Sequence, residues 1–122
     1  MQSHTSVLIV EDEKTLAHAL ELKVGHSGFV THVVSTGDEG LREALTGQYS
    51  VILLDLMLPG ADGFAILQAL REKSISTPVI VLTNLGQDKD RERAKSLGAK
   101  EYFVKADTPI AMILAKMKEV ME

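Results

Sequence analysis

Apolar residues fall into two rhythms along the chain. Short uninterrupted runs alternate with longer stretches in which apolar positions recur every three or four residues. The runs are Val7-Leu8-Ile9-Val10, Val30 to Val34, Val51-Ile52-Leu53-Leu54, Val79-Ile80-Val81-Leu82 and Tyr102-Phe103-Val104. The first, third and fourth are apolar throughout, which is how strands covered on both faces of a parallel sheet read. The second is more polar because it contains Thr31 and His32.

Five helical patterns fill the gaps. The first places Leu16, Ala19, Leu20 and Val24 on one stripe and stops between Gly25 and Gly28. The second runs from about Asp38 to Leu45, with Gly47 as its C-terminal stop. The third carries Phe64, Leu67 and Leu70 inward. The fourth, about Lys89 to Leu97, offers only Ala94 and Leu97 to a core, amid charged residues, so it is expected to be the most weakly held. The fifth starts at Pro109, a good first-turn residue, with Ile110, Ile113, Leu114, Met117 and Val120 on one face. This alternation predicts a doubly wound α/β sandwich. The length of 122 residues suits one domain, and no repeat or linker interrupts it.

In such a fold ligands bind beyond the C-terminal ends of the strands. The residues that follow each run are therefore the candidate chemistry. They are Glu11, Asp12 and Glu13 after the first strand, Asp55 after the third, Thr83 after the fourth and Lys105 after the fifth. Three converging carboxylates, Glu11, Asp12 and Asp55, repel one another unless a cation is present. A hard divalent ion with oxygen ligands answers that, and Mg2+ suits a site of few carboxylates, water and a phosphate. Lys105 adds a positive charge and Thr83 a hydroxyl donor. A carboxylate nucleophile, a metal, a lysine and a hydroxyl form a phosphoryl-transfer set. Glu13 is read as an acidic residue favoured by a helix N-terminus.

Composition removes other classes. The net charge of -4 argues against a nucleic-acid surface, and no Trp is available for base stacking. With no cysteine there is neither disulfide nor thiolate metal site, which suits a reducing cytoplasmic setting. The polar start from Met1 to Ser6 and the brevity of the run after it predict no signal peptide and no membrane span. No Walker motif or G-x-G-x-x-G is present, and the loop after the first strand is acidic, which repels a phosphate without metal. His4, His18, His26 and His32 lack ligand spacing and read as surface residues. The five methionines read as core filler and edge packing.

Taken together, four stretches resemble the receiver family of two-component signalling. They are Val7-Leu8-Ile9-Val10-Glu11-Asp12-Glu13; Leu54-Asp55-Leu56-Met57-Leu58-Pro59-Gly60-Ala61-Asp62-Gly63; Val81-Leu82-Thr83; and Leu97-Gly98-Ala99-Lys100-Glu101-Tyr102-Phe103-Val104-Lys105. The resemblance covers nearly the whole chain and implies a flavodoxin-like (βα)5 sandwich of five parallel strands in the order 2-1-3-4-5, a single receiver domain over residues 1–122. It implies that Asp55 takes a phosphoryl group from phosphohistidine on a sensor histidine kinase or phosphotransfer protein. It also implies that Asp12 binds Mg2+ directly, Glu11 through water and Met57 by its backbone carbonyl, while Thr83 and Lys105 hold the phosphoryl oxygens. Tyr102 matches the aromatic switch position, which would couple Thr83 to the face of helix four, strand five and helix five.

Some positions depart from the family pattern. Ala106 stands where a proline is usual, often in a cis bond. A non-proline cis bond costs about 2.5–4 kcal/mol, so the loop either carries that strain or is trans with a shifted path. Asn84 replaces a smaller residue and narrows the path of the Tyr102 ring. Met57 and Leu85, two residues after Asp55 and Thr83, are apolar, which predicts a long-lived phosphoryl group. A true phosphatase or phosphotransferase is the enzymatic alternative, but it would favour an acid where Met57 stands. A phosphorylation-deficient scaffold is the other, and the intact site residues argue against it. The outputs expected are a downstream protein target or an effector domain not present in this chain, no direct nucleic-acid contact, and a monomer or weak phosphorylation-dependent dimer.

Overall fold

The computed structural model describes residues 5–121. Five strands and five helices alternate: β1 Ser6–Val10, α1 Lys14–His26, β2 Val30–Val34, α2 Gly37–Ala44, β3 Val51–Leu54, α3 Gly63–Glu72, β4 Val79–Thr83, α4 Asp88–Ser96, β5 Glu101–Val104 and α5 Ile110–Met121. The strands form one parallel sheet in the order β2-β1-β3-β4-β5. This is the expected doubly wound architecture, and each expected element lies within a residue or two of its place.

Successive side chains of a strand point to opposite faces, so each apolar run supplies two cores at once. Leu8, Val10, Ile52, Leu54, Val79 and Val81 pack on one face with Phe64, Ile66 and Leu67 of α3. Val7, Ile9, Val51, Leu53, Ile80 and Leu82 pack on the other with Leu20 and Val24 of α1 and Ile113 and Met117 of α5. β3 and β4 are buried at every position, whereas the edge strand β2 buries only Val34. Its edge place explains the polar Thr31 and His32.

Several details differ from the sequence reading. Ala17, not only the expected stripe, is buried in α1, and Ile66 is buried in α3. Pro109 lies just before α5 and accepts through its carbonyl from the Met112 and Ile113 N–H groups. The methionines are not all packing residues: Met117 is buried, but Met57 and Met112 are exposed. Met57 sits in the loop after β3 and Met112 on the outer side of α5, where no element of the described residues covers them. His18, His26 and His32 are exposed as expected; Met1 and His4 lie outside the described residues. Gly47 has φ +69, and its N–H donates to the Ala44 carbonyl, so it ends α2 as expected.

Candidate functional site

The strand order places β1 between β2 and β3, so connections leave to opposite sides at the C-terminal ends of β1 and β3. This is the switch point where open α/β sheets leave a crevice. The ladder itself aims the site residues. The Glu11 N–H donates to the Val34 carbonyl at 3.0 Å, and the Asp55 N–H to the Val10 carbonyl at 3.1 Å. Both acids are thus continued one residue beyond their strands by sheet-like bonds. Glu11 and Asp55 are buried, and Asp12 is exposed at the rim.

Carboxylate oxygens of Glu11, Asp12 and Asp55 lie within 4.8 Å of one another. Lys105 follows β5 and reaches back across the sheet end. Its Nζ donates to Asp55 Oδ2 at 2.8 Å and to Glu11 at 2.9 Å. The Asp55 Oδ1 accepts from the Met57 N–H at 3.1 Å, and the Glu11 carboxylate from the Glu13 N–H at 2.9 Å. No peptide bond is cis among the described residues, so Lys105–Ala106 is trans and begins a short 3-10 turn, Lys105–Asp107. The side chain of Lys105 nonetheless meets both acids. The loop that lacks the usual proline therefore takes the unstrained alternative and still delivers the ammonium.

Electrostatics follow from burial. Desolvation pushes the Glu11 carboxyl above its ordinary value, against the lowering effect of the Glu13 N–H and Lys105 bonds. Burial alone would pull Lys105 down, but its hydrogen bonds to Asp55 and Glu11 outweigh this and hold it above the usual lysine range. Three carboxylates against one ammonium leave an excess of two negative charges. One divalent cation would neutralise it, and the donor set is all oxygen, as Mg2+ requires.

Thr83 ends β4 fully buried, and its Oγ1 accepts from the Leu85 N–H at 3.5 Å. Tyr102 is buried, with its hydroxyl donating to the Leu85 carbonyl at 2.6 Å. The ring therefore lies inward in this structure, and Asn84 is exposed. Burial, then the nearby Asp90 charge, raises the Tyr102 hydroxyl above its ordinary value. The Met57 and Leu85 side chains are exposed and half-buried respectively.

Two participants were not legible as such. Glu13 does stand at the N-terminus of α1, but its carboxylate also comes to 3.7 Å of Lys105 Nζ. Arg91 of α4 lies over the Tyr102 ring at 4.8 Å and donates to the Tyr102 carbonyl at 3.2 Å. The nearness of Glu13 to two site acids was the available signal for the first. For Arg91 no local signal existed.

Residues 7–116 match the sequence profile of the response regulator receiver domain. The chain belongs to that family. It is a receiver domain of the two-component response regulators, a class of signalling modules. It is 37% identical over 116 residues to the transcriptional regulatory protein DltR of Streptococcus agalactiae, covering 93% of this chain and 52% of that protein. It is also 37% identical over 117 residues to the response regulator ArlR of Staphylococcus aureus, covering 96% and 52%. The receiver thus spans about half the length of the curated relatives it matches. Among solved structures, a Francisella response regulator receiver domain superposes with a TM-score of 0.90 at 30% identity, covering 97% of each chain. The BeF3-activated N-terminal receiver domain of RstA from Klebsiella pneumoniae gives 0.88 at 27% identity, covering 97% of this chain and 99% of that one.

Proposed function

We propose that Asp55 is the phosphoacceptor of a two-component phosphorelay. The donor is a phosphohistidine on a sensor histidine kinase or phosphotransfer protein. The P–N bond to the donor imidazole breaks as a P–O bond forms to an Asp55 carboxylate oxygen. The observation that carries this reading is the buried Asp55 carboxylate, paired with Lys105 at 2.8 Å and grouped with the Glu11 and Asp12 carboxylates.

Mg2+ would be held by Asp12 and Asp55 directly, by Glu11 through water and by the Met57 carbonyl, and would neutralise phosphoryl oxygen charge. Lys105 exchanges its pairing with Asp55 for one with a phosphoryl oxygen, and the Thr83 hydroxyl donates to another. The movement of Thr83 reaches Tyr102 and so the α4–β5–α5 face, which controls a downstream protein or an effector domain beyond this chain. Residues 1–122 act as one cytoplasmic receiver domain, a monomer or weak phosphorylation-dependent dimer, with no direct nucleic-acid contact of its own. Its net charge of -4 supports that last point.

Incubating wild type and Asp55→Ala with Mg2+ and a small phosphodonor tests the assignment by intact mass. One phosphoryl adduct is expected on wild type and none on the variant. An adduct persisting on Asp55→Ala would move the site elsewhere. The apolar Met57 and Leu85 leave no side chain to orient a hydrolytic water, so the adduct should decay slowly. Rapid loss from isolated, Mg2+-loaded protein would sink that part.

A further inference from the structure

The loop between β3 and α3, residues 55–62, carries the Met57 carbonyl. It is fastened at three points. The Asp55 carboxylate accepts from the Met57 N–H, and the Leu56 carbonyl accepts from the Gly63 N–H at 3.1 Å. At its tip the Pro59 carbonyl accepts from the Gly37 N–H at 2.9 Å. Gly37 is the first residue of α2, so a loop carbonyl satisfies a helix donor that has no partner inside the helix. The helix dipole favours that carbonyl.

The approach there is backbone on backbone. A Cβ on Gly37 would run into the Ala61 carbonyl and lie 2.9 Å from the Ala61 nitrogen. One turn on, a Cβ on Gly40 would stand 2.7 Å from Val10 Cγ1. Val10 is the last residue of β1, immediately before Glu11 and Asp12. The two glycines, at i and i+3, lie on one face of α2. Helix α2 is thus wedged between the end of β1 and the loop after β3.

We infer that α2 is a spacer that sets the separation between the two halves of the metal site. Gly37 and Gly40 are its positioning residues, neither touching the ion. Gly40 seats the helix against the strand that presents Asp12, and Gly37 seats the loop that presents the Met57 carbonyl. Mg2+ demands near-ideal octahedral geometry at short distances, so a displaced carbonyl is a lost ligand. This inference rests on the Mg2+ reading of the site.

The test measures Mg2+ affinity and thermal midpoint in Gly37→Ala, Gly40→Ala and Gly47→Ala. Gly47, unlike the other two, lies at positive φ, +69; a Cβ there would meet no atom of the described residues within 4 Å, and it follows the far end of α2. Its variant loses stability through backbone strain alone. Groups that orient metal ligands typically contribute about 10–100-fold in metal affinity. Gly37→Ala is expected to lose Mg2+ affinity in that range, while Gly47→Ala keeps wild-type affinity despite a lower midpoint. Gly40→Ala, whose methyl meets side chains of Val10 and Ile66 rather than backbone, is expected to fold and to lose affinity by a smaller factor. It decides the matter if Gly37→Ala does not fold. A folded Gly37→Ala or Gly40→Ala with wild-type affinity overturns the inference, as does an equal affinity loss in Gly47→Ala. Absence of Mg2+ binding by wild type would instead remove the metal reading itself.

Discussion

Helices α3 and α4 lie side by side on one face of the sheet and are held by different forces. α3 buries Gly63, Phe64, Ile66, Leu67 and Leu70. α4 buries only Ala94, with Leu97 half-buried just beyond its end. Guanidinium groups supply much of what α4 lacks. Arg93 lies over the Phe64 ring at 4.0 Å, Arg91 clasps Tyr102 by its ring and its carbonyl, and Arg71 of α3 donates to the Ser96 carbonyl at the C-terminal end of α4. Apolar burial is worth about 1.5–3 kcal/mol for a large side chain, whereas an exposed cation–π contact contributes about 0.5–1 kcal/mol. α3 is therefore a fixed wall of the domain. α4 rests on several small contacts that can be exchanged at little cost, which suits a helix on the proposed output face.

The largest test of this contrast is Ile66→Ala. Ile66 is fully buried, and truncating such a side chain costs about 2–5 kcal/mol. Urea denaturation should show that loss, and a cost near that of an α4 surface substitution would erase the distinction. Hydrogen exchange compares the helices directly. Amides of α4 should open at least about tenfold more readily than those of α3, a difference of about 1.4 kcal/mol. Equal protection would mean that the arginine contacts hold α4 as firmly as a core does.

Smaller effects are expected from the arginines. Arg93→Ala should destabilise by about 0.5–1 kcal/mol and lose that cost when Phe64 is already Leu, as a double-mutant cycle would reveal. Arg91→Ala should raise exchange in α4 while leaving α3 unchanged. Additivity of the Arg93 and Phe64 changes would deny the contact any energetic role.

The last test is read in alkali. Burial raises both tyrosines, Tyr102 by the neighbouring Asp90 as well, and Tyr49 further through its bond to Glu43, to about 12. A raised folded value means that the protonated hydroxyl is favoured in the native state. For Tyr49 the stabilisation is complete below the ordinary value of 10.0 and is lost as pH rises toward about 12. Absorbance titration should therefore show less tyrosinate at pH 10.0 in folded protein than in unfolded protein, with Tyr49 still protonated. Tyr49→Phe should flatten the loss of stability across that window, and ionisation of both tyrosines at the ordinary value would contradict the buried hydroxyl bonds.

Much of this was legible from residue order alone. A strand buried on both faces must be apolar at every position, so Val7 to Val10, Val51 to Leu54 and Val79 to Leu82 declare themselves without reference to the rest of the chain. A parallel sheet then forces each strand's C-terminal end to the same edge, which is why Glu11, Asp12, Asp55, Thr83 and Lys105 could be grouped before any distance was known. The weakness of α4 was equally visible, because a helix without an apolar stripe has little to bury.

Tertiary structure decided what depends on pairs distant in sequence. Whether Lys105 reaches Asp55 without a proline after it is a matter of loop path, and the trans turn at Lys105–Asp107 answers it. Arg93 meets Phe64, and Gly37 meets Ala61, across gaps that no periodicity spans. Hydrophobic pattern encodes which face of an element is buried, because that depends on the element alone. It does not encode which cation covers which ring or which backbone touches which, because those depend on how finished elements are set against one another.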